Sequence, residues 1–249
     1  MILSISNQKG GIAKTTTTQA LGLGLTGLGY KVLLIDLDGQ SSLCKVMGAD
    51  TDGITIYDVL KNKADINDAI QTKLSVDLIP SNKLMAAADM EFTQTGREKL
   101  LKNVLTKLNT KYDFIIIDTP PALGILTVNA LTASDRVVIP LEADTLAIDG
   151  MTQVVETIDL VIEHCNPNLI IDGILLIKHK PRTILAQDLT EKIMEIAQRL
   201  NSKVYKTYIR ESVSIREAQA MRENIFLYAA NSNAQVDYMN FIKEFKEEN

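Results

Sequence analysis

The sequence predicts an α/β fold, a mostly parallel twisted sheet flanked by helices on both faces. Three observations carry that prediction. Short apolar runs alternate with longer helical patterns along the chain, the order that gives parallel strands joined by helical crossovers. Several runs are continuously apolar, as strands covered on both faces are. A glycine-rich turn joins the first run to the first helical pattern.

In chain order, strands are expected at Ile2–Ser6, Val32–Asp36, Val76–Pro80, Phe114–Asp118, Arg136–Leu141, Ile170–Ile177 and Lys203–Ile209. Helical patterns fall at Thr15–Leu28, Leu84–Leu108, Ile148–His164 and Leu185–Leu200. The first helix carries Gly22, Gly24 and Gly27 where better helix formers cost about 1 kcal/mol less each. Close packing on the sheet explains them, with a subunit contact as the alternative. Gly29 is expected to end the helix.

The chain has 249 residues, 46% of them hydrophobic, enough for one α/β domain with a sizeable core. No repeat, low-complexity segment or linker divides it, so 1–249 is read as a single domain. The first strand starts at residue 2, and no N-terminal helix-turn-helix is expected. Cys44 and Cys165 match no metal spacing and suit a reducing, cytoplasmic compartment. No basic stretch precedes the first apolar run, so no signal peptide is expected. No apolar stretch approaches the ~18 residues of a membrane span.

The most specific chemistry lies at Lys9-Gly10-Gly11-Ile12-Ala13-Lys14-Thr15-Thr16, directly after Ile2–Ser6. A strand that enters a glycine-rich turn and then a helix presents backbone N–H groups and the helix dipole to an anion. Lys14 is placed for the β- and γ-phosphates of a nucleotide, and the Thr15 hydroxyl for Mg²⁺. Two further strands end in carboxylates: Val32–Asp36, followed by Asp38, and Phe114–Asp118, followed by Pro120 and Pro121. Ligands of open α/β sheets bind at the carboxyl ends of strands. The three segments therefore point to one phosphate and magnesium site.

The pattern departs from G-x-x-x-x-G-K-[ST], with Gln8 and Ala13 at the glycine positions and a second lysine, Lys9. K-G-G-x-x-K-[ST] resembles the deviant Walker A motif of the ParA/MinD family of P-loop ATPases. The family's glycine before the second lysine is Ala13 here, which is expected at negative φ, with Gly10 and Gly11 supplying any positive φ. The family's D-x-D-P-Q is Asp36-Leu37-Asp38-Gly39-Gln40; Gly39 in place of proline is expected to loosen that loop. D-x-P-P at Asp118–Pro121 is similar to the same family.

The resemblance implies the cofactors ATP and Mg²⁺, and a role for each residue. Lys9 reaches the nucleotide of a second subunit, and Lys14 binds the phosphates. Asp38 orients the attacking water. Gly10, Gly11, Ile12, Ala13, Thr15 and Thr16 complete the nucleotide loop. Thr15, Asp36 and Asp118 serve the metal.

Charge adds a second surface. The chain is acidic, net −5, yet residues 178–222 hold ten cations against five anions. Lys178-His179-Lys180-Pro181-Arg182-Thr183 and Arg210–Ala218 resemble the late segments of Soj-type ParA proteins, which bind DNA without sequence preference. Arg182 and Arg216 are the leading contacts implied, with Arg210 and Arg222 behind them; a plain solvated basic face is the alternative. Glu211 falls where the family commonly has arginine.

The resemblance therefore implies a plasmid or chromosome partition ATPase. ATP–Mg²⁺ would drive homodimer formation and non-specific binding to double-stranded DNA on the nucleoid. A ParB-type centromere-binding partner would stimulate hydrolysis. A MinD-like membrane-cycling ATPase shares the nucleotide motifs, but the acidic tail 238–249 argues against anionic lipid. A nitrogenase-type iron protein shares the fold, but the two cysteines are poorly placed for a cluster. A scaffold that positions another cargo is the third alternative.

Overall fold

A computed structural model of the protein describes residues 1–144, 147–179 and 184–247. The elements, in order, are β1 (Ile2–Ile5), α1 (Lys14–Gly27), β2 (Val32–Asp36), α2 (Ser42–Met47) and α3 (Ile56–Leu60). They continue with β3 (Gln71–Lys73), β4 (Val76–Ile79), α4 (Ala88–Glu91), α5 (Leu100–Leu105), β5 (Phe114–Asp118), α6 (Ile125–Ala133) and β6 (Arg136–Glu142). The rest are α7 (Ala147–His164), β7 (Ile170–Ile177), α8 (Ile184–Arg199), α9 (Val213–Met221), α10 (Ile225–Tyr228) and α11 (Asn233–Glu247).

The strands form one seven-stranded sheet in the order β3-β4-β2-β5-β1-β6-β7. All pairs are parallel except β3 with β4. The continuous apolar runs form the central strands, because both faces are covered. On one face Leu3, Ile5, Leu34 and Ile116 pack with Leu21, Leu25, Phe241, Ile242 and Phe245 of α1 and α11. On the other, Leu33, Ile35 and Ile117 pack with residues of α3, α5 and α6. Ile139 and Leu176 pack there with α7 and α8.

Gly22 and Gly24 of α1 serve close packing within the chain, whereas a Cβ on Gly27 would meet nothing within 4 Å. A Cβ on Gly22 would lie 2.7 Å from Leu34 Cδ2, and one on Gly24 would overlap Ile242 of α11. Gly29, at φ +91°, ends the helix, and Tyr30 N donates back to Leu25 O.

Two expected elements differ. Residues 203–209 are not a full strand but touch β7 through isolated bridges at Val204 and Ile209. The pattern over 84–108 is not one helix. It breaks into 3-10 turns at Lys83–Ala87 and Arg97–Lys99 around the short α4 and α5. Gly96, at φ +81°, interrupts the right-handed backbone. Phe92 leaves helical geometry at ψ 85° to bury its ring, which is 1% exposed.

Candidate active site

Parallel register assembles the site. Asp118 at the end of β5 stands opposite Ile5 of β1 on one side and Asp36 of β2 on the other. The glycine loop leaves β1 beside both carboxylates, so three segments far apart in sequence meet at the carboxyl end of the sheet's central strands.

The loop is pinned at its base. Asn7 Nδ2 donates to Pro140 O at 2.7 Å, and Lys9 N donates to Asn7 Oδ1 at 3.1 Å. Gly11 takes φ +73° as expected. Ala13 does not follow its expectation: it sits at φ +59°, ψ 25°, in the left-handed region. It is the N-cap of α1, its carbonyl accepting from Thr17 N at 2.8 Å. The turn from loop into helix needs that conformation whatever residue stands there. Alanine bears a cost of roughly 1–2 kcal/mol that glycine does not.

Lys14 is 7% exposed, and its Nζ donates to Lys9 O at 3.2 Å. Burial lowers its pKa, opposed by the charges of Asp118 and Asp38. Thr15 Oγ1 donates to Asp118 Oδ2 at 2.7 Å, and Thr18 Oγ1 approaches Oδ1 at 3.4 Å. Asp36 and Asp118 are both fully buried. Burial, aided by the Asp36 charge, holds Asp118 well above the usual carboxylate range. Burial likewise pushes Asp36 up to about 6, against the hydrogen bonds from Cys44 and Asp38 N. Burial and the Asp36 charge raise the Cys44 thiol in turn.

Two buried carboxylates side by side, with Lys14 the nearby cation acting on Asp118, make a strongly negative spot beside a phosphate loop. A small, hard divalent cation held by oxygen ligands and waters fits that donor set. The loop also leaves room for phosphates, since a Cβ on Gly10 or Gly11 would meet nothing within 4 Å.

Asp38 is half-buried and faces the same cavity, with Gln40 N donating to its Oδ1 at 2.9 Å. The Gly39 loop is not loosened by the lost proline. A Cβ on Gly39 would lie 2.8 Å from Ala86 N, so the 83–87 turn presses directly on the loop backbone. Glycine here permits the contact that holds the loop.

The cavity measures about 550 Å³. Its near wall is residues 10–16 and Asp38; its far wall includes Ile209, Ser212, Ile215, Gln219 and Tyr238. Sequence reasoning read 210–218 as a DNA segment and did not place it at the nucleotide loop; Gln219 and Tyr238 lie outside every motif. Gln219 Nε2 ties the far wall to α1, donating to Thr16 Oγ1 at 3.2 Å and Gln19 Oε1 at 2.9 Å.

Lys9 donates to the Asp144 carboxylate of its own chain. Of the described candidate arginines, two share one cavity and the third lies apart. Arg216 lines the rim of the nucleotide cavity, as does Arg210. The Arg210 guanidinium is held in a fork by Asp237, at 2.9 and 2.7 Å. Arg222 caps α9 and lines a separate cavity with Lys45 and Lys83. Arg182 lies outside the described residues.

The α11 face with Tyr238, Phe241, Ile242 and Phe245 is fully buried. Among the described residues no helix is long and apolar enough to cross a membrane.

A phosphate loop, a buried lysine and paired strand-end carboxylates define a P-loop ATPase. The family model for an AAA domain matches residues 1–171. The sporulation initiation inhibitor protein Soj of Bacillus subtilis is 40% identical over 248 residues, covering 98% of this chain and 97% of that protein. The chain belongs to the Soj/ParA family of partition ATPases.

Solved structures agree. A Mycobacterium smegmatis protein named cobyrinic acid a,c-diamide synthase, solved with ADP and magnesium, is 33% identical with a TM-score of 0.83. The match covers 97% of this chain and 92% of that one. A plasmid partition protein of Borrelia burgdorferi bound to AMPPNP is 26% identical with a TM-score of 0.83, covering 100% and 99%.

Proposed function

We propose that residues 1–249 act as one ATP- and magnesium-dependent switch for DNA partition. The convergence of Lys14, Thr15, Asp36 and Asp118 at the carboxyl ends of the central strands carries this reading. The loop amides and Lys14 bind the β- and γ-phosphates. Thr15, Asp36 and Asp118 hold the magnesium shell. Magnesium, when bound, neutralises charge on the transferred phosphoryl group. Asp38 orients the attacking water.

Lys9 exchanges Asp144 for the nucleotide of a second subunit, so that dimer formation depends on ATP. The dimer presents Arg182, Arg216 and Arg222 to DNA phosphates, with Arg210 fixing the segment through Asp237. Binding of this kind is non-specific and weakens with salt. A ParB-type partner accelerates hydrolysis and returns the cytoplasmic protein from the nucleoid as a monomer. Burial of the α11 apolar face argues against α11 as a lipid-binding helix.

The test is binding to random duplex DNA with ATP, ADP or no nucleotide, with Lys14→Ala as the nucleotide-free control. Affinity confined to ATP and lost in Lys14→Ala supports the cycle. ATP-dependent dimers with no DNA affinity would favour a scaffold for another cargo.

A further inference from the structure

On the reading of Asp36 as a carboxylate of the magnesium shell, we infer that Cys44 is a positioning residue for it, acting through its thiol. The two oxygens of Asp36 are held separately. Oδ1 accepts from Asp38 N at 3.0 Å. Oδ2 accepts from both Cys44 N and Cys44 Sγ, each at 3.1 Å. The thiol is itself fixed from behind: Ser81 N donates to Cys44 Sγ at 3.3 Å, and Sγ lies 3.8 Å from Ser81 O. Cys44, Asp36 and Ser81 are all 0% exposed, so no water replaces a lost partner without rearrangement.

A thiol has one proton. The carboxylate is the nearer and stronger acceptor, so the proton goes to Asp36 and the Ser81 amide occupies a sulfur lone pair. The carboxylate is thereby fixed in rotation about its own axis. Without the thiol, Oδ2 keeps only the backbone amide of residue 44. Partners one step behind a metal's ligands set their orientation.

The same strand end braces both acidic residues of the loop. Ser81 follows β4 and reaches Asp36 through Cys44. A few residues on, the 83–87 turn presses on Gly39 beside Asp38.

The test measures the magnesium chloride concentration that half-saturates the rise in Tm given by ADP. Wild type, Cys44→Ala, Cys44→Ser and Asp36→Asn are compared, and ADP affinity in EDTA is measured alongside. Cys44→Ala is expected to need about tenfold more magnesium, while Cys44→Ser stays within about twofold of wild type. Affinity for metal-free ADP is expected to be unchanged in both.

A Cys44→Ala protein with wild-type magnesium dependence, beside an altered Asp36→Asn, would overturn the role of Cys44 alone. So would Cys44→Ser as impaired as Cys44→Ala, which would mark a packing effect. An unaltered Asp36→Asn would overturn the magnesium role of Asp36 and, with it, that of Cys44. The S–H stretching band of Cys44 in a Cys165→Ser background reads the bond directly, even if Cys44→Ala fails to fold. A lowered frequency that rises in Asp36→Asn supports the bond; a band unmoved by Asp36→Asn overturns it.

Discussion

Asp36 and Asp118 stand opposite one another in the register of β2 and β5, both buried and both ionised only against the cost of desolvation. A carboxylate raised in the folded state stabilises the fold while protonated. Below the ordinary value of 3.8 both states hold the proton, and there is no cost. As pH rises toward about 6 the unfolded chain ionises first, so stability of the nucleotide-free protein falls through that window. The full cost for Asp36 is on the order of 3 kcal/mol. Asp36→Asn is therefore expected to flatten the decline in nucleotide-free stability between pH 4 and 6, with a pH-independent loss from setting its NH2 against a buried donor. Urea unfolding across that range checks it; parallel curves for the two proteins would contradict it.

Ala13 at positive φ gives an opposite-sided prediction, a substitution that should help. Ala13→Gly is expected to stabilise the chain by about 1 kcal/mol, since glycine takes the left-handed conformation without the Cβ penalty. For a chain of this size that is a Tm increase of roughly 2–4 °C. A lower Tm in Ala13→Gly would show that the alanine methyl group contributes packing that outweighs the strain.

Lys9 should separate binding from assembly. Lys9→Ala is expected to bind nucleotide with near-normal affinity yet stay monomeric. Asp144→Asn should dimerise at least as readily as wild type, because it weakens the competing partner. Sedimentation with a slowly hydrolysed ATP analogue reads both. A normal dimer of Lys9→Ala would confine that lysine to its own subunit.

The positions of the arginines split the DNA prediction in two. Arg222→Glu, at the second cavity, should weaken DNA binding on any sequence and leave nucleotide affinity unchanged. Arg216→Glu, at the rim of the nucleotide cavity, should weaken both. Each lost phosphate contact should flatten the slope of log affinity on log salt by about one unit. Unchanged slopes in both would move the DNA surface elsewhere.

The centre of the site was legible because its signals are local. Continuous apolar runs that end in Asp36 and Asp118 name strands and their carboxyl ends, and the loop from Lys9 to Thr16 reads from its position after a strand and its resemblance to the deviant Walker A motif. The sign of φ at Ala13 was not legible. It is set by the geometry of entry into α1, not by the residue. Nor were the partners Gln219 and Tyr238, which reach the cavity only because α9 and α11 fold back over α1. Residues 84–108 misled because their apolar spacing fits a helix. Gly96 and the inward turn of Phe92 break it for tertiary reasons. Residues 203–209 misled because a β-rich composition does not secure pairing along the open edge of β7.

The seat of Ile242 over Gly24 has a consequence for how the protein is made. The helix that follows the nucleotide loop leaves the ribosome some two hundred residues before its covering helix. Until α11 is released, Leu21 and Leu25 lack part of their apolar cover. Until then the nucleotide pocket also lacks Tyr238 from its wall. Ligand competence should arrive once α11 has emerged, and cysteine-accessibility or protease pulses on stalled chains would time it.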